Sequence, residues 1–107
     1  MSAVKSLVDS LIANHKVAVF SKSYCPFCHK AKDALAGFKY QPNAFKWLEI
    51  DDREDCQQIQ DYLAELTGGR TVPRVFIGGQ FFGGGDATKE AKDNGKLEKK
   101  LAEVGAI

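Results

Sequence analysis

The amino-acid sequence predicts an α/β fold: a four-stranded mixed sheet flanked by helices, with an extra N-terminal helix. Apolar residues recur at helical spacing in several segments, short apolar runs suited to buried strands lie between them, and two of those runs flank a Gly-Gly turn. The resulting order is helix, strand, helix, strand, helix, hairpin and helices, which combines parallel and antiparallel pairing. The 107 residues, 44% of them hydrophobic, suffice for a single domain over residues 1–107.

The first half of the chain supplies two helices and two strands. One apolar stripe predicts a helix over roughly residues 3–14: Val4, Leu7, Val8, Leu11 and Ile12. Residues 17–20 suit a buried strand, and residues 45–50 predict a second strand. A second helix begins at Pro26, because proline fits the first helical position. The apolar face of this helix carries Ala31, Ala34, Leu35 and Phe38.

The second half begins with a third helix, for which Asp51 and Asp52 are candidate caps. Its shared face carries Cys56, Ile59, Leu63 and Leu66. Two glycines at 68–69 end this helix, and residues 74–77 and 80–82 then predict a hairpin. A glycine-rich segment leads into a short helix that ends near residues 94–95. The last helix is marked by Leu97, Leu101 and Val104.

The net charge of the chain is too small to attract highly charged partners over long distances. With 15 basic and 14 acidic residues the formal net charge is +1, so neither nucleic acid nor a membrane surface is an expected partner. The N-terminal segment lacks the apolar core of a signal peptide, and no stretch approaches the ~20 apolar residues that span a bilayer. We therefore expect a cytoplasmic monomer that recognises its partners locally.

The segment CPFCH, residues 25–29, fits three chemistries: a redox dithiol, half of a zinc site, and covalent haem attachment. Haem needs a second axial ligand, but the only methionine is Met1 and the only other histidine is His15. Zinc needs four ligands, usually as two close pairs, and the sequence contains no second pair. A redox dithiol needs only two thiols three residues apart at a helix start, so the sequence favours it.

Position on the helix assigns different roles to the two cysteines. Cys25 would lie at the N-terminal end, where free N–H groups and the helix dipole stabilise a thiolate, so it is the predicted nucleophile. Cys28 would lie inside the first turn, where burial disfavours charge, so it is the predicted resolving cysteine. Lys22 is either a favourable charge near the sulfur or an exposed lysine at a strand end. We expect His29 to be solvated, and Cys56 to be partly buried and inert.

Three segments together resemble the glutaredoxin family of the thioredoxin fold: KSYCPFCHKAK, IQDYLAELTGGRTVPRVFIGG and FFGGGD. They follow the family's order and approximate spacing over nearly the whole chain, and the combination looks like the dithiol type. The resemblance implies glutathione as electron donor and glutathionylated or disulfide-bonded proteins as partners. It implies no metal cofactor.

The resemblance also implies site residues. Cys25 and Cys28 match the family's catalytic pair. The matching glutathione-binding positions are Lys22, Phe27, Gln60, Thr71, Val72, Pro73, Gly84, Gly85 and Asp86. Lys22 and Gln60 match positions that hold the glycyl carboxylate. A Val72 backbone before a cis proline would bind the tripeptide's cysteine, and residues 84–86 would bind its γ-glutamyl end.

Considered without the resemblance, some of these residues have ordinary explanations. Only ~5–6% of X-Pro bonds in folded proteins are cis, so Pro73 would be trans. Gln60 would be a solvated surface residue, and Asp86 an N-cap after a flexible turn. The pair at 81–82 and the strand residues 75–77 are expected in the core. One position departs from the family, since Ala87 stands where many relatives have a second acidic residue.

Other classes of function remain open at this point. A thioredoxin would use the same pair of cysteines with another electron donor. An iron–sulfur carrier would share a cluster between two chains through Cys25 and glutathione, although Pro26 stands where related cluster binders tend to have glycine. A metal-binding module is the third alternative.

Overall fold

One mixed sheet of four strands lies at the centre of the computed structural model, which describes residues 2–107. The strands are β1 (Val17–Ser21), β2 (Phe45–Glu49), β3 (Arg74–Ile77) and β4 (Gln80–Gly83), in the order β2-β1-β3-β4. β1 pairs parallel with β2 and antiparallel with β3, and β3 and β4 form the hairpin. The predicted mixed sheet is therefore confirmed. Met1, considered above as a haem ligand, lies outside the described residues.

Five helices cover this sheet, including the predicted N-terminal one. They are α1 (Ala3–Asn14), α2 (Pro26–Leu35), α3 (Cys56–Thr67), α4 (Gly85–Asp93) and α5 (Lys96–Glu103). Within residues 2–107, no helix combines the length and apolar character needed to cross a membrane.

The helices bury both faces of the sheet, which is why β1 is apolar at successive positions. Side chains alternate along a strand. Val17 and Val19 accordingly pack with α2, α4 and α5 in one apolar cluster, while Ala18 and Phe20 pack with α1 and α3 in the other. The site described below lies where β1 passes into α2.

Several local expectations were wrong. α2 ends at Leu35, followed by Gly37 at φ 89°, so Phe38 lies beyond the helix, although it still packs on the core. α3 takes Asp55 as its N-cap, and residues 51–52 form a turn before it. Leu66 and Phe81 are exposed, not buried. Apolar spacing predicts which residues share one face of a helix or strand. It does not predict which of those residues are buried by neighbouring elements.

The Gly-Gly turn between β3 and β4 meets two separate requirements. Gly78 and Gly79 have φ values of 64° and 82°, the left-handed conformation that two-residue hairpin turns require. A Cβ on Gly78 would also lie 2.7 Å from Cγ1 of Val104, after α5. Glycine at residue 78 therefore shapes the hairpin and leaves room for the C-terminal segment.

Candidate active site

Cys25 lies at the junction of β1 and α2, where it is the N-cap residue of the helix. Its φ of −89° and ψ of 118° are extended, and its Sγ accepts a hydrogen bond from the Cys28 N–H at 3.2 Å. Pro26 occupies the first helical turn, so the missing proline N–H leaves no unpaired donor there. Cys25 is partly exposed, and its sulfur lies at the N-terminal end of α2. The positive end of a helix dipole favours negative charge at this position.

Cys28 lies one turn into α2 and is fully buried. Burial, followed by the hydrogen bond with Cys25, raises the pKa of the Cys28 thiol to about 11. The Lys22 N–H, which points at the Cys28 sulfur from 3.5 Å, acts in the opposite direction. The two sulfurs therefore occupy different environments: one is reachable and near a helix N-terminus, and the other is buried and protonated at neutral pH.

The loop before Cys25 is fixed from two sides. The Asp51 carboxylate accepts hydrogen bonds from the Ser23 N–H at 3.0 Å and from the Ser23 hydroxyl at 2.5 Å. These bonds hold the pKa of Asp51 below its usual value. The Nε2 atom of His29 lies 2.9 Å from the Ser23 carbonyl oxygen, so His29 is exposed but has a specific partner.

Sequence reasoning missed the role of Asp51 in this contact. The signal was available, because Asp51 follows β2 and Ser23 follows β1, and parallel neighbouring strands bring their carboxyl ends to one edge of the sheet. Using that signal requires pairing β1 with β2 as neighbouring strands, in addition to the local spacing of residues.

A cavity of about 480 Å³ opens beside the cysteine pair. Its lining residues are Phe27, Thr71, Val72, Pro73, Arg74, Gly84, Gly85, Asp86 and Ala87. The Cys25 sulfur lies 3.6 Å from the Val72 carbonyl oxygen, so the cavity and the sulfur share a wall. The Val72–Pro73 bond is cis, as the resemblance implied and contrary to the expectation from X-Pro frequencies.

Two of the predicted binding residues, Lys22 and Gln60, lie outside the lining of this cavity. Gln60 is buried, so the expectation of a solvated glutamine was wrong. Its amide donates to the Arg70 carbonyl oxygen at 2.8 Å, and its Oε1 lies 3.6 Å from the Cys56 sulfur. Gln60 thus joins α3 to the loop before β3, while Lys22 is half-buried at the end of β1.

The first turn of α4 forms the far wall of the cavity. Gly84 is the N-cap of this helix and Asp86 lies inside the first turn, so the N-cap assignment for Asp86 was wrong. The Thr88 hydroxyl donates to the Gly84 carbonyl oxygen at 2.7 Å. A Cβ on Gly85 would collide with the carbonyl oxygen of Phe27, so only glycine lets α4 approach α2 this closely.

Two cations were absent from the sequence predictions: Arg74, which lines the cavity, and Lys30, which contacts two of its lining residues. The Lys30 ammonium lies 2.7 Å from the Asp86 carboxylate and 5.1 Å from the centre of the Phe27 ring. Arg74 donates to the Thr71 hydroxyl at 3.1 Å, and its buried Nε has no partner in residues 2–107. Burial lowers the pKa of Arg74. In the same part of the chain, no group of three or more His, Cys, Asp or Glu side chains could hold a metal ion.

These features define a class. A four-stranded mixed sheet, a Cys-x-x-Cys pair at a helix N-terminus and a cis proline beside that pair are the features of thioredoxin-fold thiol oxidoreductases. Within that class, the family model described as Glutaredoxin matches residues 17–82. The chain belongs to the glutaredoxin family.

Similar proteins cover the chain almost end to end. Glutaredoxin-C2 of Arabidopsis thaliana is 47% identical over 107 residues, which are 100% of this chain and 90% of the relative. The crystal structure of oxidized glutaredoxin 2 from Chlamydomonas reinhardtii has a TM-score of 0.89 and 48% identity, covering 97% of this chain and 95% of its own. A buckwheat glutaredoxin–glutathione complex has a TM-score of 0.86 and 36% identity, with coverages of 97% and 92%.

Proposed function

We propose that this protein is a dithiol glutaredoxin: a glutathione-dependent oxidoreductase that reduces protein–glutathione mixed disulfides and protein disulfides through Cys25 and Cys28. The observation that carries the proposal is the asymmetry of the pair. Cys25 is partly exposed beside a cavity, whereas Cys28 is fully buried behind it. The similar buckwheat structure, which is a complex with glutathione, supports the identity of the ligand.

The first reaction uses Cys25 alone. Its thiolate attacks the glutathione sulfur of a mixed disulfide, and the electron pair of the broken S–S bond leaves on the protein sulfur, which takes a proton from solvent. The product is a Cys25–glutathione disulfide. A second glutathione thiolate then attacks the glutathione sulfur of that intermediate, releasing glutathione disulfide and restoring the Cys25 thiolate.

The second reaction uses both cysteines. The Cys25 thiolate attacks one sulfur of a protein disulfide and forms a mixed disulfide with it, and the electron pair of the broken S–S bond leaves on the other protein sulfur as the first thiolate. Cys28 then loses its proton and attacks the Cys25 sulfur, which forms the Cys25–Cys28 disulfide and releases the second protein thiolate. The raised pKa keeps Cys28 protonated until that step, so it does not compete with Cys25 as nucleophile.

Glutathione would lie along the cavity wall. In this proposal the Val72 backbone binds the cysteine residue of the tripeptide beside Cys25, and Phe27 covers its apolar part. The loop 84–86 binds the γ-glutamyl end, because the first N–H groups of a helix are free to bind a carboxylate. Thr71, which precedes Val72, lines the same cavity.

The glycyl carboxylate would lie toward Lys22 and Gln60. The Gln60 amide already donates to the Arg70 carbonyl, so it can reach a ligand only by giving up or sharing that bond. Lys22 therefore provides most of the attraction at this end of the tripeptide in our proposal.

The test is glutathione-dependent reduction of a glutathionylated peptide by the wild type and three serine variants. We expect Cys25→Ser to lose activity and Cys28→Ser to retain it, because only the dithiol route needs the second thiol. Cys56→Ser is the matched control and should resemble the wild type. An active Cys25→Ser variant would contradict the assignment. Activity with thioredoxin reductase but not with glutathione would favour the thioredoxin alternative.

A further inference from the structure

Lys30 and Asp86 join two elements beside the cavity, whose lining includes Asp86 but not Lys30. Lys30 is on α2 and Asp86 is in the first turn of α4, and their charged atoms are 2.7 Å apart. Lys30 is held by a second contact, since its ammonium lies over the Phe27 ring. Its side chain is 38% exposed, against 73% for that of Asp86. The lysine is therefore the better-fixed partner of the pair.

This ion pair changes the charge that the cavity offers to a ligand. Among the described residues that line the cavity, Asp86 is the only acidic one, because the next residue is Ala87. Arg74 lines the same cavity and forms no ion pair with a carboxylate of residues 2–107. With Lys30 beside Asp86, the balance at the cavity is positive.

The γ-glutamyl end of glutathione carries one charge of each sign, an α-carboxylate and an α-ammonium. The free N–H groups at the start of α4 attract the carboxylate. Asp86 carries the one carboxylate among the described lining residues that the ammonium could pair with, and Lys30 already pairs with its Oδ1. Two cations therefore compete for one exposed carboxylate.

We propose that Lys30 is a specificity-determining residue that neutralises the charge of Asp86. As a result, the protein recognises the γ-glutamyl end of glutathione mainly through its α-carboxylate, and the α-ammonium contributes little to binding. This inference rests on the proposed function. It implies that the protein tolerates glutathione derivatives whose α-nitrogen is uncharged, such as N-acylated ones.

The experiment compares two mixed disulfides of one peptide, one with glutathione and one with N-acetylglutathione, which keeps both carboxylates and lacks the ammonium. We expect the wild type to lose less than about threefold in kcat/KM on acetylation, because Asp86 is already paired. On acetylation, the kcat/KM of Lys30→Gln should fall by about fivefold more than that of the wild type, because the freed Asp86 carboxylate binds the ammonium in this variant. This difference should shrink at high ionic strength, which screens exposed charges.

Two further variants control for charge and for local structure. Lys32→Gln removes a positive charge from the same helix, at a lysine that lies over the Trp47 ring. This variant should keep the wild-type ratio of the kcat/KM values for the two mixed disulfides. Lys30→Arg keeps the charge and should also keep that ratio. Equal ratios in the wild type and Lys30→Gln would overturn the inference. Absence of wild-type activity on both mixed disulfides would instead overturn the proposed function on which it rests.

Discussion

At the scale of single residues, the properties of the two cysteines follow from where α2 begins. Proline at residue 26 and the helical period of the next residues predicted that Cys25 would lie at the N-terminal end of the helix and that Cys28 would be buried in its first turn. Both placements are observed, and Cys25 is the N-cap. The contacts of Lys30 and Asp51 were not predicted, because their partners come from segments distant in sequence.

The first residue-scale prediction concerns the ionisation of Cys28. Because burial raises its pKa to about 11, the thiol should stay protonated through neutral and mildly alkaline pH. The β-carbon NMR shift of a labelled Cys28, followed against pH in the reduced protein, should show its midpoint at about 11, above the ordinary thiol pKa of 9.0. A midpoint at or below the ordinary value would contradict the buried environment described for this sulfur.

At the scale of elements, α1 is joined to α3 by polar contacts as well as apolar ones. The Tyr62 hydroxyl donates to Asp9 at 2.6 Å and accepts from the Lys5 ammonium at 2.9 Å. Lys5 also pairs with Asp9 at 2.9 Å, one helical turn along α1. The apolar stripe predicted α1 itself, but this three-residue contact depends on how two separate helices dock.

Tyr62→Phe removes these hydrogen bonds and keeps the ring. We expect the free energy of unfolding to fall by about 1 kcal/mol, the usual net contribution of such contacts. Urea denaturation of the variant and the wild type would measure the change. Tyr24→Phe is the matched control: Tyr24 is 67% exposed, so its loss of a hydroxyl should leave stability unchanged. Equal stability of all three proteins would show that the contact contributes nothing.

The same contact predicts a pH dependence. Hydrogen bonds from Tyr62 and Lys5 lower the pKa of Asp9 in the folded protein below its unfolded value of 3.8. The contribution of Asp9 to stability is therefore complete above that value and is lost as pH falls through the lower folded pKa. The stability difference between the wild type and Tyr62→Phe should shrink over this acidic range, and a difference that grew there would contradict the assignment.

The approach of α4 to α2 gives a third element-scale prediction. Gly85→Ala would drive a Cβ into the Phe27 carbonyl, and relieving that overlap should cost about 1–3 kcal/mol of stability and weaken glutathione binding. Gly84→Ala is the matched control, because the nearest atom to its new Cβ would be the Pro73 carbonyl oxygen at an ordinary 3.7 Å. Thermal unfolding of both variants would decide, because Gly84 belongs to the proposed glutathione-binding loop and is a control for stability alone. Glutathione titration of Gly85→Ala against the wild type would measure the change in binding, and equal stability of the two variants would refute the close contact.

At the scale of the whole molecule, periodicity and turn chemistry predicted the element order and the mixed sheet, because these depend mainly on residues near each other in the chain. The cavity was less predictable, since its walls come from α2, the loop before β3 and the start of α4. Family resemblance supplied most of its lining residues. Arg74 and Lys30 were missed because surface-type charges acquire a role only through the packing around them.

The central claim is that Cys25 is the nucleophile that forms a disulfide with glutathione. The most direct measurement is mass-spectrometric mapping of Cys28→Ser after exposure to glutathione disulfide. Attack by the Cys25 thiolate expels one glutathione thiolate and leaves the other glutathione on Cys25. We expect one adduct, at Cys25, with Cys56 unmodified. An adduct at Cys56 alone, or no adduct at all, would contradict it.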